Sequence, residues 1–279
     1  MNAMLSTNTL SLAPDVNDWL ANSLHPRILH VFDQVCNLIN ERREVLSIVN
    51  SEIGNGPFNL VIEDDICLSK YLNLQTLISN SLRQLEIGNL TINTAYAKLW
   101  NPRPDWERLY ARRYEIFDQL MSLSLPNHQL SIPDSITSTV SSALANANIS
   151  TARKAAAQLA GLGQGLTPSG DDFIMGAILA AWIIHPIEIA KVFADDLAKT
   201  AASLTTSLSA AFLISAGKGE AGSLWHDLFD GLISENTMAI HSALEGLLNI
   251  GHSSGADALS GFIDTYISYM KRETILCPS

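Results

Sequence analysis

Basic residues are scarce in this 279-residue chain: 17 Lys and Arg stand against 28 Asp and Glu, a formal net charge of -11. No cationic footprint offsets phosphate repulsion, so nucleic acid is not an expected partner. Cysteine is nearly absent. Cys36, Cys67 and Cys277 are odd in number, far apart and form no C-x-x-C pair, which argues against a thiolate zinc site and for a reducing, cytoplasmic compartment. Long apolar runs are missing too. The most apolar stretch, Phe173 to Ile184, ends at His185-Pro186; it is too short to span a bilayer and reads as a buried core helix. The opening "MNAMLSTNTLSLAPDVNDW" has neither a basic region nor a sustained apolar one, so no signal peptide is expected. A Ser-His-Asp nucleophile elbow and a Walker lysine are also lacking.

What is present is apolar residue in quantity, 47% of the chain, enough for one large core or two smaller ones. The two ends differ in character. From about Arg27 to Pro104, "ILHVFDQVCNLI", "EVLSIV" and "FNLVIEDDICL" are rich in β-branched residues and strand-like. Gly88-Asn89 between alternating residues marks a hairpin. Beyond Asp105 the spacing turns helical, predicting helices over 105–123, 134–148, 150–160, 169–184, 187–216, 220–233, 237–249 and 255–271, with a break near Thr205-Thr206. The expected fold is α+β: a β-rich domain over 1–104 with a short helical leader, then a helical domain over 105–279. Trp100 and Trp106 flank that boundary and read as interdomain packing.

One motif occurs twice. Ser169-Gly170-Asp171-Asp172-Phe173-Ile174-Met175-Gly176 and Ser254-Gly255-Ala256-Asp257-Ala258-Leu259-Ser260-Gly261 both read S-G-[D/A]-D-x-x-x-G. Each follows a glycine-containing turn and runs into an apolar helix. "GLGQG" follows a helix and not a strand, which disfavours a dinucleotide fingerprint. Taken singly, each copy reads as capping and packing: Ser169 and Ser254 as N-caps, Asp172 and Asp257 three residues on as their capping-box partners, and Gly176 and Gly261 as close-approach positions.

Taken together they imply a site. If the glycine faces pack on each other, two helix N-termini converge. Backbone N–H groups around Gly163, Gly165, Gly170 and Gly255, with the hydroxyls of Thr167, Ser169, Ser253 and Ser254 and the adjacent Asp171, would then meet a phosphate or carboxylate. Asp172 and Asp257 would face each other there, holding a magnesium ion between them or one of them serving as a proton acceptor. His252, inside the second turn, is the third catalytic candidate, as acid, base or anion donor. His241 and Glu245 stand at i, i+4 spacing and read as a helix-face pair. Lys218 reads as a helix C-terminal cation.

These same residues carry a resemblance. "GLGQGLTPSGDDFIMGAILAAW" and "LLNIGHSSGADALSGF" resemble the two signature segments of the AllH family, and a looser similarity around "GNGPFNLVIEDD" and "LEIGNLTINTAYAKLWNPRPDW" extends it over most of the chain. Members of that family include a subunit of oxamate carbamoyltransferase, and others are known only as a domain of unknown function or a putative carboxylase. The resemblance implies a part in carbamoyl transfer between oxamate and carbamoyl phosphate, alongside other protein subunits, one of them similar to acyl-CoA synthetases. Carried onto this chain, the ligand site becomes Gly161 to Asp172 with Gly251 to Asp257. Gln164 departs from the family pattern, where a proline is often found. Three function classes follow: an enzyme or catalytic subunit, a non-catalytic subunit whose apolar faces dock a partner or a second copy, and a metabolite-binding domain without turnover.

Overall fold

The computed structural model describes residues 4–81, 83–123 and 128–276; Cys277 lies outside them. The chain divides into two compact units, Met1–Pro102 and Arg103–Ser279, the first β-rich and the second helical, giving an α+β protein.

In the first unit, nine strands among the described residues form one sheet: β1 (Leu5–Leu12), β2 (Arg27–Val31), β3 (Val35–Ile39), β4 (Val45–Asn50), β5 (Asn59–Ile62), β6 (Ile78–Asn80), β7 (Gln84–Ile87), β8 (Leu90–Asn93) and β9 (Lys98–Leu99). Their order is β2-β3-β4-β5-β1-β8-β7-β6. β1 pairs antiparallel with β5, while its other edge is shared by β8 along Leu5–Asn8 and by β9 along Ser11–Leu12, both parallel. The expected helical leader is therefore corrected. The chain opens on an inner strand of the sheet, and α1 (Pro14–Asn22), with proline in its first turn, comes after it. The strand escaped notice because its buried face carries Thr7, Thr9 and Leu12, and the register shifts between Thr9 and Ser11, so apolar alternation is lost. The hairpin at Gly88-Asn89 stands as expected: Ile87 pairs with Leu90, and φ is positive at Gly88 (59°), where only glycine is unstrained.

The second unit holds α2 (Trp106–Ala111), α3 (Arg113–Ser122), α4 (Asp134–Ala145), α5 (Ile149–Leu159), α6 (Ser169–Ile184), α7 (Ile187–Ala202), α8 (Ser207–Gly217), α9 (Ser223–Ser234), α10 (Thr237–Leu248) and α11 (Ser254–Leu276). The 187–216 stretch breaks near Thr205-Thr206 as expected. α8 begins afresh at Ser207, capped by the Thr206 hydroxyl, which accepts from the Ser209 N–H at 3.1 Å; a side-chain cap satisfies a donor that no preceding turn can. The expected 105–123 helix likewise divides at Arg112. Every residue of α6 except Met175 is buried, and no helix among the described residues is long and apolar enough to cross a membrane. Trp106 belongs to the core of this unit. Its Nε1 donates to the Gly219 carbonyl at 2.8 Å and its ring stacks on Trp182 with centroids 5.8 Å apart.

The repeat seen in the sequence is the end of a longer one. α4–α5–α6 and α9–α10–α11 follow the same course. Ala147 (φ 52°) and Glu235 (φ 57°) both take left-handed backbone after α4 and α9. The next residue in each case is a capping asparagine: the Asn148 side chain accepts from the Thr151 N–H at 3.1 Å, and that of Asn236 from the Ala239 N–H at 3.2 Å. Matching long hydrogen bonds close both corners, Asn148 N–H to the Ala143 carbonyl at 2.8 Å and Asn236 N–H to the Gly231 carbonyl at 3.0 Å. Two surface clefts, about 330 Å³ beside Asp227, Gly231 and Ser234 and about 400 Å³ beside Thr139, Ala143 and Asn146, occupy equivalent places in the two copies. α7 and α8 lie between the copies in the chain.

Candidate functional site

The two copies meet where α6 crosses α11. A Cβ built on Gly176 would stand 1.7 Å from the Ala258 carbonyl oxygen, and one on Gly261 would stand 2.0 Å from that of Phe173. Phe173 and Ala258 hold the same place in the motif, so the contact is reciprocal: each glycine accepts the backbone of the other helix. Only glycine permits this approach. Gly170 and Gly255, nearly two turns earlier, seat each helix on the one before it, where a Cβ would come 2.1 Å from the Leu159 carbonyl oxygen and 1.7 Å from that of Leu247. The two first turns are thereby brought side by side, and the Thr167 and Ser254 hydroxyls meet at 2.8 Å.

The capping-box reading is corrected. Pro168 is the N-cap of α6, with no side-chain cap, and both Ser169 and Ser254 lie inside their helices as the first residue. Their hydroxyls turn to other partners, Ser169 to Ser131 at 3.1 Å and Ser254 to Thr167. Several of the expected amides are also engaged internally. Gly170 N–H donates to the Leu162 carbonyl at 2.8 Å, those of Asp171 and Asp172 donate to Pro168, Gly255 donates to Ile250, and Asp257 donates to Ser253. The amides of Gly163 and Gly165, in an exposed turn, have no hydrogen-bond partner among the described residues.

Asp172 and Asp257 are buried at 6% and 1% exposure. Burial pushes the Asp172 carboxyl up to about 8; the neighbouring charges of Asp257 and Asp171 add to this, and the adjacent Ser254 and Thr167 hydroxyls oppose it. Desolvation wins because hydroxyl donors replace only part of the lost hydration. Asp257 Oδ1 lies 2.7 Å from His128 Nε2, the ring N–H donating. On each aspartate the second oxygen, Oδ2, is buried and has no hydrogen-bond partner, a costly arrangement inside a protein.

His128 is the residue that sequence reasoning missed. It stands in "PNHQLSIPD", a polar, proline-bounded connection with no motif spacing to either aspartate. The stretch from His128 to Ser131 touches both copies, Asp257 through His128 and Ser169 through Ser131. His252 is exposed on its turn, and no hydrogen bond or ion pair joins it to the aspartates. Asp171 has both oxygens occupied, one by the Gly161 N–H at 2.9 Å and the other by the Thr205 hydroxyl. Its place in the second copy is taken by Ala256, whose turn is shorter and needs no such pin. Asp171→Ala is therefore expected to lower unfolding stability by about 2 kcal/mol, measured in urea, while leaving ligand response in place.

Among the described residues no group of three or more His, Cys, Asp or Glu is arranged to hold a metal ion. Asp172 and Asp257 thus have no third ligand of these types, and His241 and Glu245 remain an exposed pair on α10.

A β-rich unit followed by a helical unit with a duplicated, glycine-sealed aspartate pair defines the class of protein. The family described as oxamate carbamoyltransferase subunit AllH matches residues 159–266, which hold both motif copies, and the AllH family N-terminal domain matches residues 8–99. The chain belongs to the AllH family. No solved structure matches it.

Proposed function

We propose that this chain is a subunit of, or an enzyme related to, oxamate carbamoyltransferase, holding a small substrate such as carbamoyl phosphate, phosphate or a carboxylate at the α6–α11 crossing. One observation carries the reading. Two aspartates buried beyond nine-tenths each keep an unpartnered oxygen within the segment that the family description covers. A fold bears that cost where the atoms have a task.

The chemistry fits. Carbamoyl transfer from carbamoyl phosphate to an amide nitrogen forms an N–C bond, breaks the C–O bond to phosphate and releases the amide proton. A carboxylate within hydrogen-bond reach accepts that proton as the bond forms. Asp257 supplies that carboxylate and His128 orients it, while Asp172, which burial keeps protonated near neutrality, offers an O–H to the ligand. The unpartnered amides of Gly163 and Gly165, with Ser253 and His252 on the opposite turn, receive the anionic end. Thr167, Ser169, Gly170, Ser254 and Gly255 shape the crossing.

Thermal unfolding with carbamoyl phosphate, phosphate and oxamate, each with and without magnesium, tests this. A ligand at one hundred times its Kd is expected to add about 2.7 kcal/mol, and Asp257→Asn to abolish the gain. No gain from any ligand in the folded wild-type chain would overturn the reading of a self-sufficient site. The subunit reading, in which a partner completes the site, is favoured by one feature: Leu162 and Leu166 on the first turn and Ile250 at the second all expose apolar side chains.

A further inference from the structure

Two buried carboxyls side by side do not both ionise readily, and their surroundings decide which one keeps a proton. Depth alone would give it to Asp257, which is 1% exposed against 6% for Asp172. The groups beside Asp172 point the same way. The adjacent Ser254 and Thr167 hydroxyls favour its ionised form, and repulsion from Asp171 on the same first turn is weaker than the effect of the Ser254 hydroxyl. Asp171 is itself held by the Gly161 N–H and the Thr205 hydroxyl. Yet Asp172 is the carboxyl that stays protonated, pushed up to about 8. One group reverses the order. His128 Nε2 stands 2.7 Å from Asp257 Oδ1, and its ring, 26% exposed, keeps contact with water. Among the described residues no hydrogen bond or ion pair joins His128 to Asp172, or joins Lys, Arg or His252 to either aspartate.

Resting on the two-carboxyl site proposed above, we infer that His128 is the positioning residue that assigns the roles of the pair: by donating to Asp257 Oδ1 it makes Asp257 the base and leaves the proton on Asp172, the acid. A charge-assisted hydrogen bond to one member is worth more than a neutral hydroxyl beside the other, and it outweighs the difference in depth. Asp257 Oδ2, buried and unpartnered, is then the oxygen that takes a proton, and Asp172 the group that gives one. The crossing is otherwise nearly symmetric, built from two copies of one motif. His128 comes from outside both copies, and it touches only one of the two aspartates.

The test is the order of stability of two isosteric variants of the full chain, read without ligand. An amide imitates a protonated carboxyl and not an ionised one. At pH 6 the Tm of Asp172→Asn is therefore expected to exceed that of Asp257→Asn by roughly 5 °C or more. On a His128→Ala background the order is expected to reverse. On a His128→Gln background, where the side-chain N–H2 replaces the ring donor, it is expected to return. A histidine that only ties down its connection would lower both variants alike and leave their order unchanged, and that result would overturn the assignment. A second readout needs no His128 variant to fold: the carboxyl 13C resonances of the wild-type chain at pH 6. Asp172 is expected at the protonated position and Asp257 at the ionised one, and the opposite pattern would overturn the assignment. Neither readout contains a ligand. If carbamoyl phosphate, phosphate and oxamate all leave the wild-type Tm unchanged, the function proposed above fails, while the order of the variants still decides the role of His128.

Discussion

Asp172→Asn is expected to stabilise the protein at pH 8 while removing its ligand response. In the folded chain burial holds this carboxyl up to about 8, against 3.8 in its ordinary state. Between those values the folded chain keeps a proton that the unfolded chain has released, so raising the pH favours unfolding across the whole window. The cost is absent below pH 4, grows through neutrality and is complete above pH 8; at pH 7 it is on the order of 4 kcal/mol. Asparagine imitates the protonated acid at every pH and escapes it. The variant's Tm should exceed the wild type's by roughly 5 to 15 °C at pH 8 for a unit of this size, and by almost nothing at pH 4. The same offset at both pH values would mean that Asp172 titrates in its usual range and that the crossing is wetter than its packing implies. A gain in stability paired with a loss of binding is the mark of a residue kept for function.

The fold was largely legible in the sequence, and where it failed the reasons are physical. Helix after helix in the second unit announced itself, because alanine and leucine spacing, asparagine caps and glycine or proline stops agreed with one another. The opening strand did not, because its inward positions are threonines and a bulge breaks its period. The longer repeat stayed hidden for a related reason. Its corners are fixed by backbone geometry at Ala147 and Glu235, two residues that share no side-chain chemistry, and the two turns differ in length. The candidate site divides in the same way. Asp172 and Asp257 were legible because a motif stood around each of them. The serine caps were misread by one position, since Pro168 takes the cap and leaves Ser169 inside the helix. His128 had no local signal at all: its proximity to Asp257 is made by the path of the chain before α4, and spacing along a sequence carries no record of that.

Gly176→Ala is expected to be among the most damaging small substitutions in this protein. Alanine ordinarily improves a helix interior over glycine by about 1 kcal/mol, so the sign depends entirely on what the new methyl meets. At this position it would meet the Ala258 carbonyl oxygen at 1.7 Å, with the Phe262 nitrogen at 3.0 Å. Both are backbone atoms in the first turns of α11 and have no rotamer to change. The distance must roughly double to reach ordinary contact, which forces α6, buried along nearly its whole length, away from its principal neighbour. A loss of about 4 kcal/mol or more follows, beyond the usual range for overpacking. Gly246→Ala on α10 is the internal control. Its methyl would meet the Leu224 Cδ2 atom at 2.7 Å, the tip of a side chain that can rotate, and its urea midpoint should shift by no more than about 1 kcal/mol in energy. Matching midpoints for the two variants would contradict the glycine-sealed crossing. A large loss confined to Gly176→Ala, with the ligand response gone even where the variant remains folded, would tie the site to the crossing. Separating the helices parts Thr167 from Ser254 and Asp172 from Asp257.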